Sequence, residues 1–68
     1  MEIAKINSKK VREIKWNSNS KRMYIVYNNA KEYAYLGISE RDYLKLVNSD
    51  IDSTLDTFNL KHIAIETT

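Results

Sequence analysis

The 68-residue sequence lacks cysteine and proline, and it contains a single glycine, Gly37, and a single histidine, His62. The absence of cysteine excludes disulfide bonds and metal sites with thiolate ligands. Because proline and glycine interrupt helices and strands, their scarcity indicates mostly regular secondary structure. No apolar run approaches the length of a membrane-spanning helix, and residues 1–8 are too polar for a signal peptide. We therefore expect a cytoplasmic protein that does not enter the membrane.

The length and the charge set further limits. A chain of 68 residues forms a single domain, residues 1–68, whose core is so small that burial alone gives marginal stability. A dimer interface would add buried area. The net charge of +2 is divided unevenly, because residues 1–31 carry +6 and residues 32–68 carry −4. Such a division can attract an anionic partner to one side of the molecule.

The most informative stretch predicts a β-hairpin that leads directly into a helix. Met23, Ile25 and Tyr27 occupy alternate positions, and Tyr33 and Tyr35 do the same after a polar gap. This period of two is typical of half-buried strands. Matching the two apolar faces places Ile25 opposite Tyr33 and Met23 opposite Tyr35.

The register of this hairpin leaves residues 28–30 as a three-residue loop. Such loops usually need a left-handed residue at their third position, where an alanine costs about 1 kcal/mol relative to glycine. Either Ala30 adopts this conformation, or Asn29 does and the turn is of another type.

The helix that follows has a clear N-terminal signal. Ser39 is a good N-cap, and Asp42 can complete a shortened capping box. Ile38 and Tyr43 have the spacing of a hydrophobic staple. An apolar stripe then continues to Asn48, where polar residues end the helix.

The flanking segments extend this unit. Ile14 and Trp16 alternate in a predicted strand, and Val11 is out of phase with them, which predicts a β-bulge. Residues 1–7 form either a short edge strand or an ordered arm. In the tail, apolar spacing favours a second helix capped by Asp50 or Asp52, followed by a closing strand.

Together these patterns predict an α+β fold. A three-stranded antiparallel β-meander packs on one helix, and a short second helix and a C-terminal strand complete the chain. The expected bounds are about 11–17, 22–27 and 31–36 for the meander, 39–48 and 51–58 for the helices, and 61–66 for the last strand.

The apolar and aromatic residues of this region follow a distinctive order. An apolar residue precedes a serine, and then come a strand ending in an aromatic residue, a hairpin and a helix with an early tyrosine. The positions are Ile6, Ser8, Val11, Ile14, Trp16, Met23, Ile25, Tyr27, Tyr33, Tyr35, Ile38, Ser39 and Tyr43. This order resembles the KTSC domain, a small family named for its occurrence at the C-terminus of some lysyl-tRNA synthetases.

The resemblance implies a small module that also occurs as a stand-alone protein in bacteria and phages and has no established enzymatic activity. The attachment to a tRNA-handling enzyme implies a link to nucleic acid. Ala30 departs from the family pattern, which has glycine in this turn, and the tail after Ser49 lacks the family's glycine. The free-standing chain, rich in Lys, Asn and Ile, is interpreted as a phage or prophage product.

The sequence offers no set of residues for catalysis. His62 has no suitably spaced partner for metal binding or proton transfer, so we expect an ordinary surface or strand residue. Asp50, Asp52 and Asp56 lack the glycine and the terminal glutamate of a calcium loop, and helix capping explains them better. No glycine-rich turn is present to activate a serine or to hold a phosphate. We predict a protein that is not an enzyme and has no cofactor, metal or small-molecule substrate.

The tyrosines predict a core and an opposite surface. Tyr27, Tyr33, Tyr35 and Tyr43 fall where core aromatics belong, each with its hydroxyl at the rim. Tyr24 falls on the other face of the hairpin, a face too apolar to remain in contact with water. Its residues are Tyr24, Val26, Ala34 and Leu36.

This second face favours a small interaction module that binds another protein or itself as a homodimer, in the manner of a phage or bacterial regulator. The N-terminal arm, the C-terminal segment or a second subunit would cover the face.

A set of basic residues supports an alternative function. It is concentrated on the first predicted strand and the turn after it, where only Glu13 opposes it. Lysine and arginine contact phosphates, and an exposed aromatic residue can stack on a base. The set therefore predicts nucleic-acid binding, to RNA or DNA, through Lys9, Lys10, Arg12, Lys15, Lys21 and Arg22.

Overall fold

The computed structural model describes residues 1–67, in which five antiparallel strands form one sheet and two helices pack on one of its faces. The order of the strands in the sheet is their order in the chain. The prediction of an α+β fold is confirmed. The elements are β1 (Glu2–Lys5), β2 (Val11–Asn17), β3 (Arg22–Tyr27), β4 (Glu32–Tyr35), α1 (Glu40–Val47), α2 (Ile51–Lys61) and β5 (Ala64–Glu66).

The central hairpin has the predicted register. Met23 lies opposite Tyr35 and Ile25 opposite Tyr33. In the loop between β3 and β4, Ala30 has a φ of 71°, so this residue adopts the left-handed conformation. The alternative, in which Asn29 does so, is not the one observed. The non-glycine residue at this position carries the conformational cost that the sequence predicts.

Strand β2 also pairs as predicted. Ile14 lies opposite Ile25 and Trp16 opposite Met23, while the register shifts between Val11 and Glu13. This shift is the bulge that the out-of-phase Val11 predicts. It turns Val11 toward the helices, where its side chain is fully buried.

The sheet has five strands, of which the predicted meander forms the three in the middle. The N-terminal residues form an edge strand that pairs with β2, and the C-terminal strand pairs with β4. The predicted strand at 61–66 is limited to Ala64–Glu66, because α2 continues to Lys61 and does not end at residue 58. The added turn brings the Asn59 side chain within 2.6 Å of the Tyr35 hydroxyl, which donates a hydrogen bond to it.

The expected N-cap hydrogen bond is present at the start of α1 and absent at the start of α2. Ser39 is the N-cap of α1, and its hydroxyl oxygen accepts the N–H of Asp42 at 3.2 Å. Ile38 and Tyr43, the predicted staple, are both buried. Asp50 is the N-cap residue of α2 but makes no capping hydrogen bond through its side chain. Neither helix within residues 1–67 has the length and apolarity needed to cross a bilayer.

The core lies between the sheet and the two helices. Trp16 is central, because its ring stacks on Tyr43 with centroids 5.6 Å apart and its indole N–H donates to the Ile38 carbonyl at 2.8 Å. The indole is therefore buried without an unsatisfied donor. The buried side chains are Val11, Ile14, Trp16, Met23, Ile25, Tyr35, Ile38, Tyr43, Leu46, Ile51 and Leu55.

Candidate interaction surfaces

The sheet face opposite the helices, named the outer face, runs across all five strands. The strand register places Ile3, Lys15, Tyr24, Ala34 and Ile65 in one row. Strand alternation puts the four predicted residues Tyr24, Val26, Ala34 and Leu36 on this side. The outer face consists of Ile3, Lys5, Glu13, Lys15, Asn17, Arg22, Tyr24, Val26, Glu32, Ala34, Leu36 and Ile65.

The apolar part of the outer face is open to solvent. Leu36 is 53% exposed, Ile3 56% and Ile65 48%, whereas Tyr24 is half-buried and Ala34 is buried by its neighbours. Within residues 1–67 no helix or strand crosses this face. The two terminal segments extend the sheet at its edges and do not cover it, and they add Ile3 and Ile65 to the exposed surface.

Four charged residues of the outer face form two ion pairs. Lys5 Nζ lies 3.2 Å from Glu13 Oε1, and Lys15 Nζ lies 2.9 Å from Glu32 Oε1. The hydrogen bond from Lys15 lowers the pKa of the Glu32 carboxyl from its usual value, against the opposing effect of burial. Lys15 also lies over the Tyr24 ring, 5.8 Å from its centroid. The centre of the face is therefore apolar with paired charges, and Arg22 adds one cation at its margin, which suits a protein surface better than a polyanion.

The structure does not bring the six predicted basic residues together. They divide between the two ends of β2, a strand of seven residues with a length of about 20 Å. The group near the β3–β4 turn is Lys9, Lys10 and Arg12, the group at the β2–β3 turn is Lys21 and Arg22, and Lys15 lies between them on the outer face.

The first of these groups, named the loop-end group, is fixed against the β3–β4 turn. The Asn28 side chain donates to the carbonyls of Ser8 and Lys9 at 3.1 and 2.9 Å, and its backbone N–H donates to the Lys10 carbonyl at 2.8 Å. Arg12 Nη2 donates to the Asn28 carbonyl at 3.4 Å. The backbone that carries these cations is thus held in one position.

At the other end of β2, Lys21 has a structural role. It has a φ of 57°, and its ammonium lies 5.2 Å from the centroid of the Trp16 ring. Its carbonyl accepts the N–H of Ile38 at 2.8 Å. This lysine therefore covers the edge of the core by a cation–π contact.

A cleft of about 460 Å³, named the tyrosine cleft, opens where the sheet extends beyond α2. The rings of Tyr27 and Tyr33 form one part of it, with centroids 5.5 Å apart and nearly perpendicular planes. Burial raises the pKa of the Tyr35 hydroxyl, which remains a donor at neutral pH. The lining residues are Tyr27, Asn29, Lys31, Tyr33, Tyr35, Asn59 and Ala64.

Tyr27 lies between this cleft and a second one. The second cleft, of about 280 Å³, is lined by Lys9, Lys10, Tyr27, Asn28 and Asn29. The sequence assigns Tyr27 to the core and the lysines to the first strand, and nothing in their spacing indicates that they meet. Lys9 and Lys10 come to line one cleft with Tyr27 because of the path of the loop before β2.

A third cleft, of about 270 Å³, lies between α1 and α2. His62 lines it beside Lys61, and its ring lies 4.4 Å from the Phe58 ring. His62 is half-buried and ends α2 as its C-cap. Within residues 1–67 no three His, Asp or Glu side chains come close enough to form a metal site.

The fold and these surfaces define a small α+β module with one uncovered sheet face. The KTSC domain model matches residues 7–53, most of the chain, and the protein therefore belongs to the KTSC domain family. The match covers β2, β3, β4, α1 and the first turn of α2. Comparisons with curated proteins and with solved structures found no match.

Proposed function

We propose that this KTSC domain is a non-catalytic interaction module whose outer face binds another protein or a second copy of the chain. The observation that carries the proposal is the exposure of Ile3, Leu36 and Ile65 on the outer face. The half-buried ring of Tyr24 lies in the row that joins Ile3 to Ile65, with Lys15 beside it. Removing apolar surface from water contributes about 25 cal/mol per Å². A protein without a reaction centre acts through what it binds, so we propose a regulatory role in a phage or bacterium.

The size of the outer face sets the expected affinity. Five strands about 4.8 Å apart give a width of about 24 Å, and the strand lengths give an area on the order of 400 Å² per partner. Stable interfaces usually bury about 800 Å² per partner. We therefore expect reversible association, with micromolar or weaker affinity.

Sedimentation and light scattering over a range of concentrations test binding to a second copy. Affinity capture from the host tests binding to another protein. The decisive variant is Leu36→Lys, because Leu36 is 53% exposed and a lysine there places a charge on the outer face without altering the core. Leu44→Lys is the matched control, since Leu44 is 42% exposed on α1.

We expect Leu36→Lys to lose association that Leu44→Lys retains. If the mass stays monomeric at every concentration, and both variants capture the same proteins, the outer face is not the binding surface.

Nucleic-acid binding is a second candidate, supported by one cleft. Lys9 and Lys10 line a common cleft with Tyr27, which places cations beside a half-buried aromatic ring. Of the other predicted cations, Lys15 pairs with Glu32, Lys21 lies over the Trp16 ring, and Arg22 lies at the opposite end of β2 from Lys9 and Lys10. We propose that any nucleic acid is bound by the loop-end group alone, with an affinity that falls as salt rises.

A further inference from the structure

We infer that the two clefts beside Tyr27 form one site for single-stranded nucleic acid. A base occupies the tyrosine cleft, and the neighbouring phosphate contacts Lys9 and Lys10. This inference rests on the nucleic-acid candidate above and adds to it the type of strand and the position of the base.

The tyrosine cleft has the chemistry of a base pocket. Its volume of about 460 Å³ lies within the range of small-molecule sites. Tyr27 and Tyr33 are half-buried and offer aromatic surface for stacking, which is sequence-tolerant because every base has a π-face. The Tyr35 hydroxyl donates to Asn59 Oδ1, and Asn29 Oδ1 accepts the Lys31 N–H. The NH₂ groups of the two amides and the oxygen of the Tyr35 hydroxyl are left for the edge of a base.

The cations lie where a phosphate would follow. Lys9 and Lys10 line the cleft on the other side of Tyr27, so that ring lies between an aromatic pocket and two positive charges. A nucleotide has the same arrangement, with its charge beside its base. Because Asn28 bonds to the loop carbonyls, the lysine backbone is ordered before a ligand binds, which lowers the entropic cost of binding.

Acidic groups near the site limit the expected affinity. Lys31, which lines the tyrosine cleft, lies 3.9 Å from Glu66. Asp52 accepts hydrogen bonds from the Ser8 hydroxyl and the Lys9 N–H. The favourable charge thus comes mainly from the loop-end group, which suits contact with about two phosphates and not the continuous backbone of a long duplex.

The cleft between α1 and α2 also contains cations but lacks an available ring. Phe58 is engaged by Tyr35 on one side and by His62 on the other, with ring centroids 5.5 and 4.4 Å away. Asp42 also lines that cleft, next to Lys45. The site beside Tyr27 is therefore the better place for a base.

The experiment measures fluorescence anisotropy of labelled ligands with the full chain at low salt. The ligands are an oligothymidine of about 12 nucleotides, a strand of equal length in which every site is abasic, a duplex of equal length, and a glutamate-rich peptide of equal charge. The abasic strand keeps the phosphates and removes the bases. We expect oligothymidine to bind about tenfold more tightly than any of the other three.

Substitutions test the base pocket and the phosphate contacts separately. We expect Tyr27→Leu to weaken oligothymidine binding about tenfold and to leave binding of the abasic strand unchanged. Tyr24→Leu, on the outer face, is its matched control. Replacing Lys9 and Lys10 with Gln should weaken both ligands and reduce the slope of log affinity against log salt by about 1.4, because each phosphate contact contributes about 0.7.

The outcomes separate this inference from the candidate on which it rests. Equal binding of the oligothymidine and abasic strands overturns the base pocket and leaves phosphate binding in place. Absence of binding to every nucleic acid at low salt overturns both. Peptide binding as tight as that of oligothymidine shows that charge alone is recognised and overturns both. The comparison with the abasic strand uses the unmodified protein, so it shows whether a base is bound even if Tyr27→Leu fails to fold.

Discussion

The Ser8 hydroxyl donates a 2.9 Å hydrogen bond to the carboxylate of Asp52, a residue 44 positions away in the chain. The same hydroxyl oxygen accepts the N–H groups of Lys10 and Val11, each at 3.0 Å. The bond joins the entry of β2 to the first turn of α2. Both residues lie within one position of the ends of the family match at 7–53, so this contact closes the segment that defines the family.

We predict that Ser8→Ala lowers the free energy of unfolding by about 1–3 kcal/mol, because two backbone N–H groups and one carboxylate lose a partner. Urea denaturation measures the change. Ser53→Ala is the control, since the Ser53 hydroxyl makes one exposed bond to the Asp50 carbonyl, at 3.2 Å. Its removal should cost less than about 0.5 kcal/mol. Equal effects of the two substitutions would show that the Ser8 contact does not stabilise the fold.

A second prediction concerns the β3–β4 turn. Ala30→Gly should raise the free energy of unfolding by about 0.5–1 kcal/mol, because glycine adopts the observed φ of 71° without strain. Ala4→Gly, in the extended strand β1, should instead lower it by about as much, since it only adds freedom to the unfolded chain. Thermal melts of the two variants provide the measurement. If both substitutions are destabilising, Ala30 is not strained.

A third prediction follows from the ion pair between Lys15 and Glu32. The pKa of Glu32 is lowered from 4.5 by the hydrogen bond from Lys15, so the folded state favours the carboxylate. The resulting stability is present above the unfolded pKa and is lost as pH falls through the lowered one. We expect Glu32→Gln to cost under about 1 kcal/mol at pH 7, with a cost that disappears as the pH falls through the lowered pKa of Glu32.

Urea denaturation between acidic and neutral pH measures this dependence, and a double-mutant cycle with Lys15→Met isolates the pair. In the Lys15→Met background, Glu32→Gln should have a smaller effect at neutral pH. A cost of Glu32→Gln that does not change with pH would contradict the assignment.

The parts of the fold that the sequence predicts are those set by local chemistry. Alternation in β3 and β4 gives the hairpin and its register, and the Ser39 cap gives the start of α1. The sequence does not determine the turn type, because Ala30 and Asn29 can each adopt the left-handed conformation at some cost. The edge strands depend on pairing between distant segments, and their short sequences contain too few alternating positions to indicate it.

The residues of the interaction surfaces divide in the same way, into those placed by local chemistry and those placed by the pairing of distant segments. Tyr24 and Leu36 share a face because strand alternation determines it, and this could be read from the sequence. Ile3 and Ile65 join that face only through the pairing of β1 and β5. The separation of Lys9 from Lys21 follows from the length of β2. The cleft that Lys9 and Tyr27 line together follows from a loop whose path no pattern in the sequence specifies.

The place of β5 in the sheet has a consequence for the order of assembly. Strands β1 to β4 each pair with a neighbour across a short connection, whereas β5 reaches β4 only after both helices have been traversed. Closing this longer loop costs more entropy, so β5 should dock last during folding and detach first. Its release leaves the N–H and C=O groups along one side of β4 without partners. That transient edge is where two molecules of this protein would exchange strands or begin to aggregate.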